Sequence, residues 1–112
     1  MRHAHYTEVK AEDPGQGSKD ITIRWLITKK DGAERFAMRM FEMSTGGYTP
    51  YHQHDWEHEV FIVEGEGALK TEKGERKFKG GDFIFVPAGE WHQFLQKGKG
   101  PTKFLCLIPY KD

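Results

Sequence analysis

Short β-type runs, separated by glycine- and proline-rich turns, follow one another along most of the chain and restrict its fold more than any other feature. About nine or ten short strands are expected from this spacing, and no segment shows a convincing helical period. The pattern favours an all-β jelly roll, in which two sheets close on each other as a barrel. The runs span residues 21–28, 36–43, 51–54, 58–64, 68–72, 75–79, 83–86, 91–97 and 103–108.

Length and charge favour a single domain without a nucleic-acid or membrane partner. The chain has 112 residues, with 17 basic and 17 acidic side chains, and lacks both a basic stripe and a bilayer-spanning apolar run. No signal-peptide pattern is visible, and the single cysteine, Cys106, fits a reducing compartment, so a cytoplasmic location is expected. Residues 1–20 are polar and are predicted to form an N-terminal arm before a barrel domain over residues 21–112.

Four of the six histidines fall at regular offsets within two turn-bounded segments. The first segment reads Gly-x5-His-x-His-x3-His-x6-Gly and contains His52, His54 and His58; the second reads Gly-x5-Pro-x-Gly-x2-His and ends at His92. Because side chains alternate across a strand, the first three histidines share a face if the strand phase is kept. Neutral imidazole is the commonest protein ligand for transition metals. The spacing therefore predicts one metal site.

Both segments resemble the two signature motifs of the cupins, Gly-x5-His-x-His-x3,4-Glu-x6-Gly and Gly-x5-Pro-x-Gly-x2-His-x3-Asn. The resemblance covers residues 46–96 and includes every motif glycine and the motif proline, with Gln96 in place of the final asparagine. It implies a single-domain cupin barrel, also called a double-stranded β-helix. In detail the chain is similar to small manganese cupins, which implies that a divalent metal is held by four ligands, His52, His54, His58 and His92.

A second departure from the cupin motif lies at the carboxylate ligand, because His58 stands where most relatives have a carboxylate. The six-residue spacer before Gly65 and the three-residue spacer after His54 both lead to His58. Glu59 fits only with the longer first spacer, and it then leaves one residue too few before Gly65. Strand alternation also turns Glu59 to the other face. Register and parity therefore favour His58 over Glu59 as the fourth ligand.

Four neutral ligands would leave a divalent ion as a good Lewis acid for anionic or chelating oxygen groups. The sequence identifies candidates for the surrounding substrate pocket but no catalytic residue. Arg39 either points into the cavity and holds a substrate carboxylate or lies on the solvent face. Cys106 is either a small buried apolar residue or a thiol beside the cavity. The pocket candidates are Arg39, Phe41, Phe104, Cys106 and Ile108.

Three classes of function remain open from the sequence. The first is a dioxygenase-like metal-dependent oxidoreductase for a small organic substrate, which an apolar cavity would favour. The second is a non-redox metalloenzyme, such as an isomerase or decarboxylase, which a glutamate facing the metal as general base would favour. The third is a barrel that binds or senses a small molecule without turnover. Resemblance favours manganese, whereas ligand type alone allows iron, nickel, copper or zinc. Exposed strand edges also predict a homodimer.

Overall fold

The computed structural model describes residues 1–110 and contains eight β-strands and two three-residue 3-10 turns. Within this range no helix is long and apolar enough to cross a membrane, and the all-β prediction is confirmed. Lys111 and Asp112, the end of the predicted barrel domain, lie outside the described residues. The strands are β1 (Lys19–Ile27), β2 (Phe36–Tyr48), β3 (His58–Glu64), β4 (Glu66–Thr71), β5 (Gly74–Lys79), β6 (Phe83–Val86), β7 (Gln93–Lys97) and β8 (Thr102–Pro109).

The eight strands form one antiparallel sheet that curls on itself. Their hydrogen-bonded order is β5-β4-β7-β2-β8-β3-β6, and β1 pairs with β2 outside this path. One half of the sheet contains β8, β3 and β6, and the other contains β7, β4 and β5. The long strand β2 belongs to both halves, because its first part pairs with β8 whereas Tyr48 pairs with Leu95 of β7. A glycine pair lies between these two parts. Gly46 has a φ of +78°, and a Cβ atom on Gly47 would collide with the carbonyl oxygen of Asp20.

Residues 51–54 form a single bridge instead of the expected strand, so the described part has eight strands and not nine or ten. In this bridge the backbone N–H of His52 donates to the carbonyl of His92 at 3.1 Å. The N–H of His92 donates back to the carbonyl of His52 at 2.9 Å. Pro50 has no backbone N–H, so it cannot donate to a ladder at this point. The bridge nevertheless joins the two histidine segments.

The core lies between the two halves of the curled sheet and is centred on an aromatic stack. The ring of Phe104 lies 5.0 Å from that of Phe41 and 4.8 Å from that of Phe94. Phe104 is only 1% exposed, so this stack buries a large apolar area at the base of the barrel interior. The other buried core residues are Ile21, Ile23, Met43, Val60, Ile62, Phe78, Val86 and Cys106.

The segment before β1 contacts the barrel at several points. Glu12 and Ile23 exchange two backbone hydrogen bonds of 2.8 and 2.9 Å. The Nε of Arg24 donates to the carbonyl of Val9 at 3.0 Å. These contacts hold the segment along β1, and residues 14–18 follow close to the barrel opening. The boundary between arm and barrel stays a prediction.

Candidate metal centre

Three histidines from the two sequence segments meet at one point. The nitrogen atoms of His52, His54 and His92 that could bind a metal lie within 4.8 Å of one another. The ring of His52 lies 4.1 Å from that of His54 and 4.8 Å from that of His92. The N–H of Gly89 donates to the carbonyl of His54 at 2.6 Å, which fixes the second segment against the first. This cluster could hold a metal ion, as its spacing in the sequence predicts.

His92 has a fixed ring orientation that suits a ligand. It is only 3% exposed, and its Nδ1 lies 2.9 Å from the backbone carbonyl oxygen of Glu90. Because a carbonyl only accepts hydrogen bonds, this contact assigns the proton to Nδ1 and leaves a lone pair on Nε2. Ligating histidines in proteins usually donate their other ring N–H in this way.

His58 lies beside the cluster and has different partners. Its ring centroid is 5.1 Å from those of both His54 and His92. Its Nδ1 lies 3.2 Å from the sulphur of Cys106 and 3.4 Å from Nη2 of Arg39. Its Nε2 is buried and has no hydrogen-bond partner among residues 1–110. Three histidines thus form the compact cluster, and the fourth ring presents an unpartnered nitrogen, which is costly to bury.

Glu59, the alternative to His58, lies on the opposite face of β3. Its side chain is exposed and borders an outer groove together with Phe61, Phe83 and Phe85. Alternation along the strand explains this difference, because neighbouring residues point to opposite sides of a sheet. Glu59 is therefore remote from the interior.

Burial keeps the clustered imidazoles neutral at pH 7. Loss of hydration lowers the pKa of His52 to about 4, with a further contribution from the neighbouring His54. It lowers the pKa of His58 to about 3, with a further contribution from the Arg39 guanidinium. Burial also lowers the pKa of His54 and the pKa of His92. Neutral imidazole is the form that binds metals, so the cluster needs no deprotonation at neutral pH.

A cavity of about 330 Å³ opens beside the histidines. Four of the five predicted pocket residues line it, namely Arg39, Phe41, Phe104 and Cys106. The side chain of Arg39 therefore points inward, which decides between the two orientations that the sequence left open. Ile108 lies on the same strand as Cys106 but packs against the core and does not line the cavity.

Other cavity residues were not identified from the sequence. Ile23 and Trp25 also line the cavity, and the alternation of apolar and polar residues from Ile21 to Trp25 was a signal that could have identified them. The segment before β1 contributes part of the rim, and no sequence pattern indicated this contact. Its rim residues are Pro14, Gln16 and Ser18.

Comparison with known proteins agrees with this geometry. Residues 39–108, more than half of the chain, match a family described as the cupin domain. The chain belongs to the cupin family. The structure of the polyketide cyclase RemF from Streptomyces resistomycificus matches this cupin with a TM-score of 0.94 and 39% identity, covering 99% of this chain and 80% of that chain. The predicted jelly-roll fold is confirmed.

Two curated relatives have unlike activities. A gentisate 1,2-dioxygenase from a Ralstonia species is 39% identical over 83 residues, which cover 73% of this cupin and 23% of that protein. The 1-methylthio-D-xylulose 5-phosphate methylsulfurylase from Rhodospirillum rubrum is 28% identical over 71 residues, or 63% of this cupin and 46% of that protein. This cupin thus spans less than half the length of either one. Membership of the family does not fix the reaction.

Proposed function

We propose that this cupin is a dioxygenase-like, metal-dependent oxidoreductase that acts on a small organic substrate. The observation that carries the proposal is the composition of the cavity: among the described residues, its lining is aromatic and histidine-rich and contains no carboxylate. A glutamate facing the metal would instead have favoured an isomerase or decarboxylase, because it could act as general base. Glu59 faces outward, and Glu57 is exposed and does not line the cavity. The similarity to a gentisate dioxygenase supports the same choice.

The proposed ligands are His52, His54, His58 and His92, with manganese as the native ion. His58 joins the compact cluster through its unpartnered Nε2. Its Nδ1–H then donates to the sulphur of Cys106, a contact of 3.2 Å that fixes the plane of the ring. The bound ion would supply Lewis-acid and redox chemistry to a substrate held in the cavity.

The surrounding residues hold the ligands in place. Trp56 stacks on the ring of His54, with centroids 4.3 Å apart and an angle of 3° between the planes. The hydroxyl of Thr49 accepts from the N–H of Phe94 at 2.8 Å, and its carbonyl accepts from the side chain of Gln93 at 2.7 Å. Thr49 is buried, so these bonds keep the two histidine segments together without solvent.

Metal analysis of protein purified without a histidine tag tests the ligand set. We expect about one metal ion per chain in the wild type, because the cluster offers convergent neutral ligands. His52→Ala and His58→Ala should lose most of this metal, whereas His3→Ala, an exposed histidine of the arm, should retain it. Absence of stoichiometric metal from the wild type would overturn the metal site. Unchanged metal content in His58→Ala would show that His58 is not a ligand.

A non-redox metalloenzyme is the second candidate, and the similarity to a polyketide cyclase favours it. Two measurements on a panel of phenols and 1,3-dicarbonyl compounds distinguish the oxidoreductase from the non-redox enzyme. They are dioxygen uptake and product formation. An oxidoreductase of the proposed type consumes dioxygen in proportion to product and stops under anaerobic conditions. Product formation at an unchanged rate without dioxygen would refute it in favour of the second candidate. Metal retention without turnover on any compound would indicate a binding protein.

We also propose that the chain forms a homodimer through the outer faces of β3 and β6. Phe83, Phe85 and Phe61 are 82%, 56% and 48% exposed on these paired strands. Three such rings offer on the order of 400 Å² of apolar surface, about half of the roughly 800 Å² that each partner of a standard interface buries. In sedimentation analysis Phe83→Glu should be monomeric, whereas Phe36→Glu, at an exposed phenylalanine of β2, should stay dimeric. A monomeric wild type would refute the homodimer.

A further inference from the structure

The cavity contains one permanent positive charge without a balancing negative charge. Arg39 is half-buried on β2, and no carboxylate in the described part of the chain lies within ion-pair distance of it. Its Nη2 donates to the sulphur of Cys106 at 2.9 Å, and its Nε is shielded from solvent without a hydrogen-bond partner. Shielding a charged group from water is costly unless an opposite charge and hydrogen bonds compensate it. An anion bound in the cavity would supply this balancing charge.

Aromatic rings surround the same guanidinium. Its central carbon lies 5.0 Å from the ring centroid of Phe41 and 5.6 Å from that of Trp25. These contacts hold the cation over π faces at the wall of the cavity. The floor beyond it is the phenylalanine stack around Phe104. The walls thus suit a flat apolar body attached to an anionic group.

Cavity size restricts the ligand further. The volume of about 330 Å³ is near the lower limit of the roughly 300–1,000 Å³ that is usual for small-molecule sites. A ligand with one or two rings fits this space, and a long chain does not. A planar carboxylate is also an anion whose two oxygens match the fork of a guanidinium.

We propose that the cavity takes a small aromatic carboxylate, whose carboxylate is held by Arg39 and whose ring lies on the phenylalanine stack toward the histidines. The reaction of such a ligand would depend on the proposed function. Its binding would not, because Arg39 is present whether or not a metal is bound. The assignment makes Arg39 the residue that selects acids over neutral analogues of the same shape.

Binding of benzoate and of benzamide, its neutral analogue of similar shape, tests the assignment. Chemical-shift titrations at pH 7.5 are made with metal-free and metal-loaded protein for the wild type, Arg39→Gln and Arg39→Lys. Arg76→Gln, at an exposed arginine of β5, is the matched control. We expect metal-free wild type to prefer benzoate at least tenfold. Arg39→Gln should lose the preference, Arg39→Lys should keep part of it, and Arg76→Gln should behave as wild type.

The outcomes separate this inference from the proposed function. Equal affinity of metal-free wild type for benzoate and benzamide would overturn the role of Arg39, whatever the metal content. An unchanged preference in Arg39→Gln would overturn it as well. A preserved preference for benzoate in a protein that binds no metal would support the inference and refute the oxidoreductase. The near-ultraviolet circular dichroism of each variant, compared with wild type, shows that the aromatic packing is intact, and Arg39→Lys serves as the test if Arg39→Gln does not fold.

Discussion

Lowering the pH from 7 to 5 should destabilise the metal-free protein, and His58 should account for a defined part of the loss. In the unfolded chain its imidazole titrates near the usual value of 6.5, whereas burial in the fold lowers its pKa to about 3. Between these values the unfolded state binds more protons than the folded state. The contribution of His58 to stability is therefore complete above pH 6.5 and decreases as the pH falls toward 3.

The size of this effect at pH 5 follows from the difference between this pH and the pKa of 6.5 in the unfolded chain. His58 is protonated in the unfolded chain and neutral in the fold, where its side chain is only 6% exposed. The interval of about 1.5 pH units below 6.5 corresponds to about 2 kcal/mol in the free energy of unfolding. For a domain of this size, that is on the order of 10 °C in Tm. The other three clustered histidines add to the total loss of stability. They are present in all the proteins compared below, so their contribution cancels in the comparison.

Urea unfolding in the presence of a chelator, at pH 7 and pH 5, measures the difference. We expect the wild type to lose about 2 kcal/mol more than His58→Gln between these two pH values, because glutamine does not titrate. His3→Gln changes an exposed histidine of the arm and should lose as much as the wild type. Equal losses in wild type and His58→Gln, with both proteins folded at pH 7, would refute the argument that burial holds this imidazole neutral.

Three substitutions test the packing that supports the site, each by urea unfolding at pH 7. Phe104→Ala removes the centre of the aromatic stack and should cost about 3–5 kcal/mol; a loss below about 1 kcal/mol would show that the stack can collapse without penalty. Gln96→Ala removes a buried side chain that accepts a hydrogen bond from the N–H of Gly46 at 3.1 Å. It should cost about 1–3 kcal/mol because backbone groups are left without a partner. An unchanged urea midpoint would show that this hydrogen bond does not stabilise the fold. Gly67→Ala places a methyl group against the carbonyl oxygen of Leu95 and the ring of Phe78 and should cost about 1–3 kcal/mol; a stabilised variant would show that both neighbours move aside without penalty.

The compact cluster was predictable because its determinants are local. A two-residue offset places His52 and His54 on one face, and a glycine-rich turn brings the segment of His92 alongside. The same spacing did not reveal that residues 51–54 lack a strand ladder. Periodicity indicates which face a residue occupies, but a ladder also needs backbone donors and a continuous partner strand.

The surroundings of His58 could not be predicted in the same way, because they depend on register between distant strands. Arg39 contacts Cys106 across 67 positions of sequence, and Cys106 contacts His58 across 48. Alternation left the orientation of Arg39 open, since a strand has two faces and a charge is usually on the outer one. Only the pairing of β2 with β8 and of β8 with β3 brings the three side chains together.

The continuity of β2 has a consequence for how molecules reach the interior. One unbroken strand belongs to both halves of the sheet, so the halves cannot swing apart without bending β2 between its ladder with β8 and its pairing with β7. Small molecules that enter or leave the cavity pass its rim, where residues 14–18 lie beside Pro50. Entry into the cavity and binding inside it therefore depend on different parts of the chain. Changes in the rim segment can alter which molecules are admitted while the histidines and Arg39 stay as they are.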